Sequence, residues 1–344
     1  MKTIFVVDDN STNLLTAEKV LSGYYEVITA VNADLMFELL EDITPDLILL
    51  DILMPDMDGF EVLKHLRQNP AYVDIPVMFL TAQSDAAIEA RGFESGVVDF
   101  ITKPFFDSVL LGRIRKHLEI EDLIRDRTRQ LDDLKNSITY VLADAVENRD
   151  PLTGRHIDRT ASYVEVLLSA LLEKGVYTDE LTQWDPEVIV AAARMHDLGK
   201  LTISDSILNK PGKLSEAEFE KIKTHTLEGE KIIEEIAEKA GDGEFLRYAK
   251  LCAGSHHERW DGTGYPRGLK ANEIPLLGRI MAIIDVYDAL VSERPYKKAY
   301  THEHAMQIIK ENRGTHFDPL ITDVFDEIHL QFENVLFEEK KAEG

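Results

Sequence analysis

The stretch His256-His257-Glu258-Arg259-Trp260-Asp261-Gly262-Thr263-Gly264-Tyr265-Pro266 sets two adjacent imidazoles beside a glycine-rich turn. Neighbouring histidines in a tight bend would each need a separate partner in a packed core, so the pair reads as metal ligands. The same part of the chain holds Met195-His196-Asp197-Leu198-Gly199-Lys200, with His156 upstream, His225 between and Asp285 beyond. Imidazoles and carboxylates spread over several helices suit a hard or borderline divalent cation. A single histidine is more often a satisfied core residue. The set, with acidic residues on the same inward faces, favours ligation.

The elements that must carry these residues are helical. Asp185-Pro186-Glu187 starts a helix, with aspartate as cap and proline in the first turn, expected to run through Val188–Met195 and stop at Gly199. Ile189, Ala193 and His196 then share its inward face, with Asp197 beside them. Ser215-Glu216-Ala217-Glu218 is a capping box, and the helix it opens aligns Ile222, His225, Gly229 and Ile232. After Pro275, Asp285 and Asp288 lie three residues apart on one face of an apolar run. A buried carboxylate there requires a counter-charge, which a metal supplies.

The whole chain has 344 residues, 44% hydrophobic and 29% charged, which is enough for two domains with their own cores. A formal net charge of -25 argues against nucleic acid as a partner, because a phosphate backbone would be repelled. The single cysteine, Cys252, excludes an intramolecular disulfide and fits a reducing cytoplasm. The short apolar run Lys2 to Val7 meets Asp8-Asp9 at once and is no signal peptide. No apolar stretch approaches the roughly 18 residues of a membrane span, so a cytoplasmic location is expected.

Residues 1 to about 105 alternate apolar runs with helical periodicity. Thr3–Val7, Glu26–Thr29, Leu47–Leu50, Val77–Leu80 and Val98–Ile101 read as strands buried on both faces. This predicts a doubly wound, five-stranded α/β sheet whose ligands gather beyond the carboxyl ends of the strands. Asp8, Asp9, Asp51, Thr81 and Lys103 fall there. Carboxylates brought to one sheet edge suit Mg²⁺, and Asp51 would attack phosphorus to give an acyl phosphate, helped by Lys103 and the Thr81 hydroxyl.

Asp8-Asp9, Leu50-Asp51-Ile52-Leu53-Met54-Pro55, Met57-Asp58-Gly59, Thr81-Ala82 and Lys103-Pro104 together resemble a response-regulator receiver domain, flavodoxin-like, over residues 1–120. The resemblance implies that Asp51 accepts a phosphoryl group from a sensor histidine kinase. It also implies that Asp9, Asp51 and the Leu53 carbonyl bind Mg²⁺, with Asp8 acting through water, and that Lys103-Pro104 is cis. Thr81 and Phe100 would repack as the switch.

From Asp107 to Glu147 the pattern is helical, and Ile120, Ile124, Leu131, Leu134, Ile138, Val141 and Ala145 follow heptad steps. Residues 121–146 are expected to be a helical signalling linker, either a coiled coil that makes a homodimer or an amphipathic helix on a domain surface. An all-α domain is expected over residues 147–344.

That last region resembles the HD-GYP subgroup of HD-superfamily phosphohydrolases. The matching residues are Asp150–His156, His196–Lys200, Lys210–Leu214, His225, His256–Pro266, Ile274–Leu276, Asp285–Leu290, Arg294–Tyr296 and Phe317–Pro319. The resemblance implies a phosphodiesterase that opens cyclic di-GMP to linear pGpG, and on to GMP in some relatives. It implies that Asp197 bridges two metals, with His156, His196 and Asp285 toward one and His225, His256 and His257 toward the other. Lys200 would neutralise a phosphate oxygen beside the catalytic Asp197, and Tyr265, Asp288, Arg294 and Lys297 would contact substrate. Leu152 stands where some members carry a third-metal glutamate, so two metals are expected, with iron or manganese favoured by the mixed ligands. Thr226 replaces a frequent proline.

The leading expectation is therefore a response regulator whose phosphorylation controls cyclic di-GMP hydrolysis, with other cyclic di-GMP signalling proteins as further partners and no membrane. The alternatives are a scaffold that binds a cyclic dinucleotide without turnover, or a phosphodiesterase for another cyclic dinucleotide.

Overall fold

The computed structural model describes residues 1–344 except 83–85, 148, 150–155, 293–297 and 343–344. Leu152, Arg294 and Lys297 lie outside the described residues. The chain divides into two compact units, Met1–Leu131 and Asp132–Gly344.

The first unit alternates β1 (Thr3–Val7), α1 (Ser11–Leu21), β2 (Glu26–Ala30), α2 (Ala33–Asp42), β3 (Leu47–Asp51), α3 (Gly59–Gln68), β4 (Val77–Thr81), α4 (Ala86–Ser95), β5 (Asp99–Thr102) and the start of α5 (Asp107–Glu147). The sheet is parallel, in the order β2-β1-β3-β4-β5. Alternation within apolar strands builds both cores. Phe5, Val7, Ile48, Leu50 and Phe79 fill one face, and Ile4, Val6, Leu49, Met78 and Leu80 the other. Burying each such side chain contributes about 1.5–3 kcal/mol. Asn10, Asn32 and Asp58 cap α1, α2 and α3 with side-chain oxygens, so the helices begin just past the strand ends. The Lys103-Pro104 peptide is cis, as the sequence implied.

Within this unit Leu110, Ile114 and Leu118 pin α5 to the sheet. The helix runs 41 residues with no break at residue 120 or 121. Ile124, Leu131, Leu134, Ile138 and Val141 are exposed along it, whereas Thr139, Ala143 and Val146 near its end are buried.

The second unit is helical. It contains α6 (His156–Glu173), α7 (Thr178–Leu181), α8 (Pro186–Ala193), a 3-10 helix (Leu198–Thr202), α9 (Asp205–Leu208), α10 (Glu216–Lys223), α11 (His225–Ala240) and α12 (Glu244–Ser255). A 3-10 turn, α13 (Leu276–Val291), α14 (His302–Glu311), α15 (Pro319–Glu327) and α16 (His329–Ala342) complete it. Helix α13 is apolar nearly all round and forms the centre, with Tyr287 wedged among Tyr163, Phe325 and Phe332. Such all-round hydrophobicity marks a helix enclosed by others.

Two expectations about helix ends need correction. The helix starting at Pro186 stops at Ala193, so His196 and Asp197 sit in the turn before the 3-10 helix. Gly199 is no helix stop. A Cβ there would lie 1.8 Å from the His225 carbonyl oxygen and 2.5 Å from the Gly229 nitrogen, so glycine lets two backbones touch. The Ser215 capping box is present, but the helix it opens ends at Lys223, and His225 begins a new one.

Candidate metal centre

At the carboxyl edge of the first unit's sheet, Asp8, Asp9 and Asp51 each turn an oxygen into one cluster. Lys103 Nζ lies 2.6 Å from Asp8 Oδ2 and 2.8 Å from Asp51 Oδ1. Asp8 is held by the Asn10 amide and by Asn13 Nδ2, both at 2.9 Å. Burial pushes the Asp51 carboxyl above its ordinary range, against the pull of Lys103. Thr81 is buried at the end of β4, and Phe100 is buried edge-on to Phe79 and Phe93. The Leu53 side chain is exposed, which leaves only its backbone near the cluster.

In the second unit, the turn after α8, the end of α12, the starts of α6 and α11 and the middle of α13 converge. Among the described residues, His156, His196 and Asp285 form one group whose ligand atoms lie within 4.8 Å of one another, and His225, His256 and His257 form another. Asp197 stands between them. Its Oδ2 lies 3.5 Å from His196 Nε2, and its Oδ1 lies 3.4 Å from His225 Nε2 and 3.8 Å from His256 Nε2. Lys200 Nζ reaches Asp197 Oδ2 at 2.5 Å.

The ring orientations decide what these groups can hold. Nδ1 of His196 meets the Ala193 carbonyl at 2.9 Å, that of His225 the Ile222 carbonyl at 2.7 Å, and that of His256 the Cys252 carbonyl at 2.9 Å. A carbonyl only accepts, so Nδ1 carries the hydrogen and the lone pair of a neutral ring sits on Nε2. Nε2 of His156 lies 3.4 Å from Nε2 of His196, and Nε2 of His225 lies 3.3 Å from that of His256. Facing lone pairs repel unless a cation lies among them. Asp197 Oδ1 is buried and has no hydrogen-bond partner among the described residues, a second sign that a cation belongs there.

Electrostatics agree. Burial lowers the pKa of His256 to about 3 and that of His257 well below its ordinary value, so both are neutral at neutral pH, as a metal ligand must be. Burial alone would also lower His196, yet the charges of Asp197 and Asp285 leave it raised. Asp197 is held well below the carboxylate range: burial would raise it, but Lys200 and His196 outweigh that. A metal ion would replace the proton that His196 otherwise needs. Asp197, His257 and Asp285 are the partly exposed members and mark the open side.

Asp288, expected to touch substrate, does something else. It is 2% exposed; its Oδ2 accepts from His156 Nδ1 at 2.7 Å, and Arg159 Nε donates to its Oδ1 at 2.6 Å. It is thus the carboxylate that orients the candidate ligand His156. Arg159 was not singled out from sequence, although a cation three residues after His156 on one helix face was the available signal. Replacing Asp288 with alanine is expected to weaken metal binding about 10- to 100-fold. Metal affinity measured on the full chain checks this, and an unchanged affinity would refute the orienting role.

The loop carrying the paired histidines is tied to itself. Glu258, 1% exposed, accepts from the Arg267 amide at 2.7 Å and the Leu269 amide at 3.0 Å. The Tyr265 amide donates to the His257 carbonyl at 3.1 Å. A Cβ at Gly264 would lie 2.3 Å from the Arg259 nitrogen. The Tyr265 ring therefore lies beside His257, centroids 4.7 Å apart, with Lys223 Nζ 5.6 Å from the ring centroid. Thr226 donates its hydroxyl to the Lys223 carbonyl.

The HD domain family matches residues 122–321, and the response regulator receiver domain family matches residues 4–115. The chain belongs to the HD-domain family. HD-domain hydrolases use a divalent metal centre, and Asp197 with the six residues grouped around it has the donors for one. At its other end the protein is a response-regulator receiver. A Vibrio cholerae protein named "Probable cyclic di-GMP phosphodiesterase" is 40% identical over 338 residues, covering 94% of this chain and 77% of that protein. The Xanthomonas campestris cyclic di-GMP phosphodiesterase response regulator RpfG is 36% identical, covering 84% of this chain and 77% of RpfG. A Vibrio cholerae protein named 3'3'-cGAMP-specific phosphodiesterase 2 is 35% identical over 70% of this chain and 45% of its own length. No helix among the described residues of this HD-domain response regulator is long and apolar enough to cross a membrane.

Proposed function

We propose that this chain hydrolyses cyclic di-GMP at two divalent cations, iron or manganese, and that a phosphoryl group on Asp51 controls the rate. The observation that carries this reading is Asp197, whose two oxygens face two separate groups of ligating atoms. One group would be His156, His196 and Asp285, and the other His225, His256 and His257. Bound cations supply charge for the phosphodiester and make water acidic enough to attack.

The chain's own residues set the rest. Lys200, beside Asp197, stands where it can meet a phosphate oxygen on the open side. Tyr265 offers a ring fixed against His257 for a base to stack on. The receiver's partner is a phosphodonor such as a sensor histidine kinase, with Mg²⁺ held by Asp8, Asp9, Asp51 and the Leu53 carbonyl. The exposed apolar positions of α5, from Ile124 to Val141, support a homodimer through this helix.

The test is turnover of cyclic di-GMP by reduced, iron- or manganese-loaded full chain, with and without beryllofluoride as phosphoryl mimic. Expected are linear pGpG and a rate that changes with the mimic. Asp51→Asn is expected to remove phosphoryl uptake and the mimic's effect while leaving metal content unchanged, checked by radiolabel transfer from a small phosphodonor and metal analysis. The cGAMP-named relative favours a second reading, hydrolysis of the mixed ring, which competition between the two substrates decides. Two metals per chain with no product from either ring would favour a non-hydrolytic scaffold.

A further inference from the structure

The end of α5 is hydrogen-bonded into the metal centre from two sides. Glu147, its last residue, accepts from the His156 amide at 2.6 Å and the Ile157 amide at 3.3 Å. These are first-turn donors of α6, which no helical carbonyl can satisfy. The residue just before them in sequence, Arg155, has no acceptor on its side chain. The acceptor comes instead from the preceding helix, and it falls on the backbone of a candidate ligand.

Two residues on, Arg149 spreads its guanidinium over the other arm. Nη1 donates to the Leu201 carbonyl at 2.9 Å; Nη2 donates to the Ile203 carbonyl at 2.9 Å and pairs with Asp205 Oδ1 at 2.7 Å. This fastens the 3-10 helix that follows Asp197 and carries Lys200. Asn209 Nδ2 returns a bond to the Arg149 carbonyl at 2.9 Å. Ala143 and Val146, buried within the second unit, keep this end of α5 from swinging free. A small cavity walled by Val146, Glu147, Arg194 and Lys200 is also lined by the candidate ligands His156, His196 and Asp197.

We propose that Glu147 and Arg149 are positioning residues through which the end of α5 sets the metal centre. A shift or rotation of this helix arrives at the His156 amide and at the carbonyls behind Lys200, with no contact to substrate. The proposal rests on the metal-centre reading above and adds the route by which that centre is regulated.

Cobalt binding to the full chain tests it, read from the visible d-d bands. With excess Mg²⁺ filling the receiver site, Glu147→Ala is expected to weaken one of the two Co²⁺ sites of the second unit about tenfold and leave the other within about twofold, the size of effect seen when a ligand's support is removed. Glu147→Gln keeps one acceptor oxygen and is expected to recover affinity to within about threefold. Beryllofluoride is expected to shift the weaker site's affinity in the wild-type chain and to leave Glu147→Ala unmoved. Unchanged affinities in Glu147→Ala, equal loss at both sites in both variants, no shift in the wild type, or a shift that persists in Glu147→Ala would each overturn the proposal. A wild-type chain that binds no Co²⁺ would overturn the metal-centre reading itself and this proposal with it.

Discussion

Asp197→Asn is expected to lower turnover by about a thousandfold, comparable to or beyond the loss of one preorganised electrostatic contact in an active site. It is also expected to empty at least one metal position. The substitution keeps volume and changes two things. It removes the charge that Lys200 and His196 answer, and it presents an NH₂ group toward atoms that need an acceptor or a cation. Oδ1 faces His225 and His256 and has no hydrogen-bond partner among the described residues, so no donor among them compensates for the loss. Metal per chain and turnover measured on the same sample check it. Wild-type turnover in metal-analysed Asp197→Asn would sink the assignment of the centre.

Gly199→Ala should be nearly as damaging for a different reason. The added methyl would meet the His225 carbonyl and the Gly229 nitrogen, both backbone atoms of α11, which cannot rotate away. Overpacking of this kind costs about 3 kcal/mol. The strain falls between Asp197 and His225, so metal affinity is expected to drop with stability. Gly229→Ala is a useful control, because its Cβ would only reach 3.2 Å from Ala253 Cβ and the Gly199 nitrogen. Urea unfolding and metal content measured together decide the matter: a wild-type midpoint for Gly199→Ala would mean the close packing is not what requires glycine.

The receiver was legible almost to the residue. Its strands are apolar on both faces and end at polar residues, and both signals are local, so all five strands fall within about a residue of their expected bounds. The seven candidate ligands were legible as a set because their residue types are poor core material. What escaped was tertiary. Nothing local breaks the helix between Ala193 and Gly199, since Met195-His196-Asp197 continues its periodicity; the break lets the following backbone lie against α11. Asp285 and Asp288 look equivalent at a three-residue spacing, and only His156 and Arg159, far away in sequence, assign Asp288 to support. Glu147 and Arg149 read as ordinary charges at a helix end, because all but one of the groups they hold, the Asp205 carboxylate, are backbone amides and carbonyls, which leave no trace in side-chain patterns.

The closed ring between Glu258 and Leu269 has a thermodynamic consequence. Fixing the backbone of one residue costs about 1–2 kcal/mol in conformational entropy, and here that cost is met during folding, by a buried carboxylate that recruits two amides from the far side of its own loop. A ligand stacking on Tyr265, as proposed, would meet a template already in shape. Its affinity would then go to contacts instead of to ordering this loop. Selectivity between closely related rings then depends on how well each fits a fixed surface, and so on how quickly the poorer fit leaves.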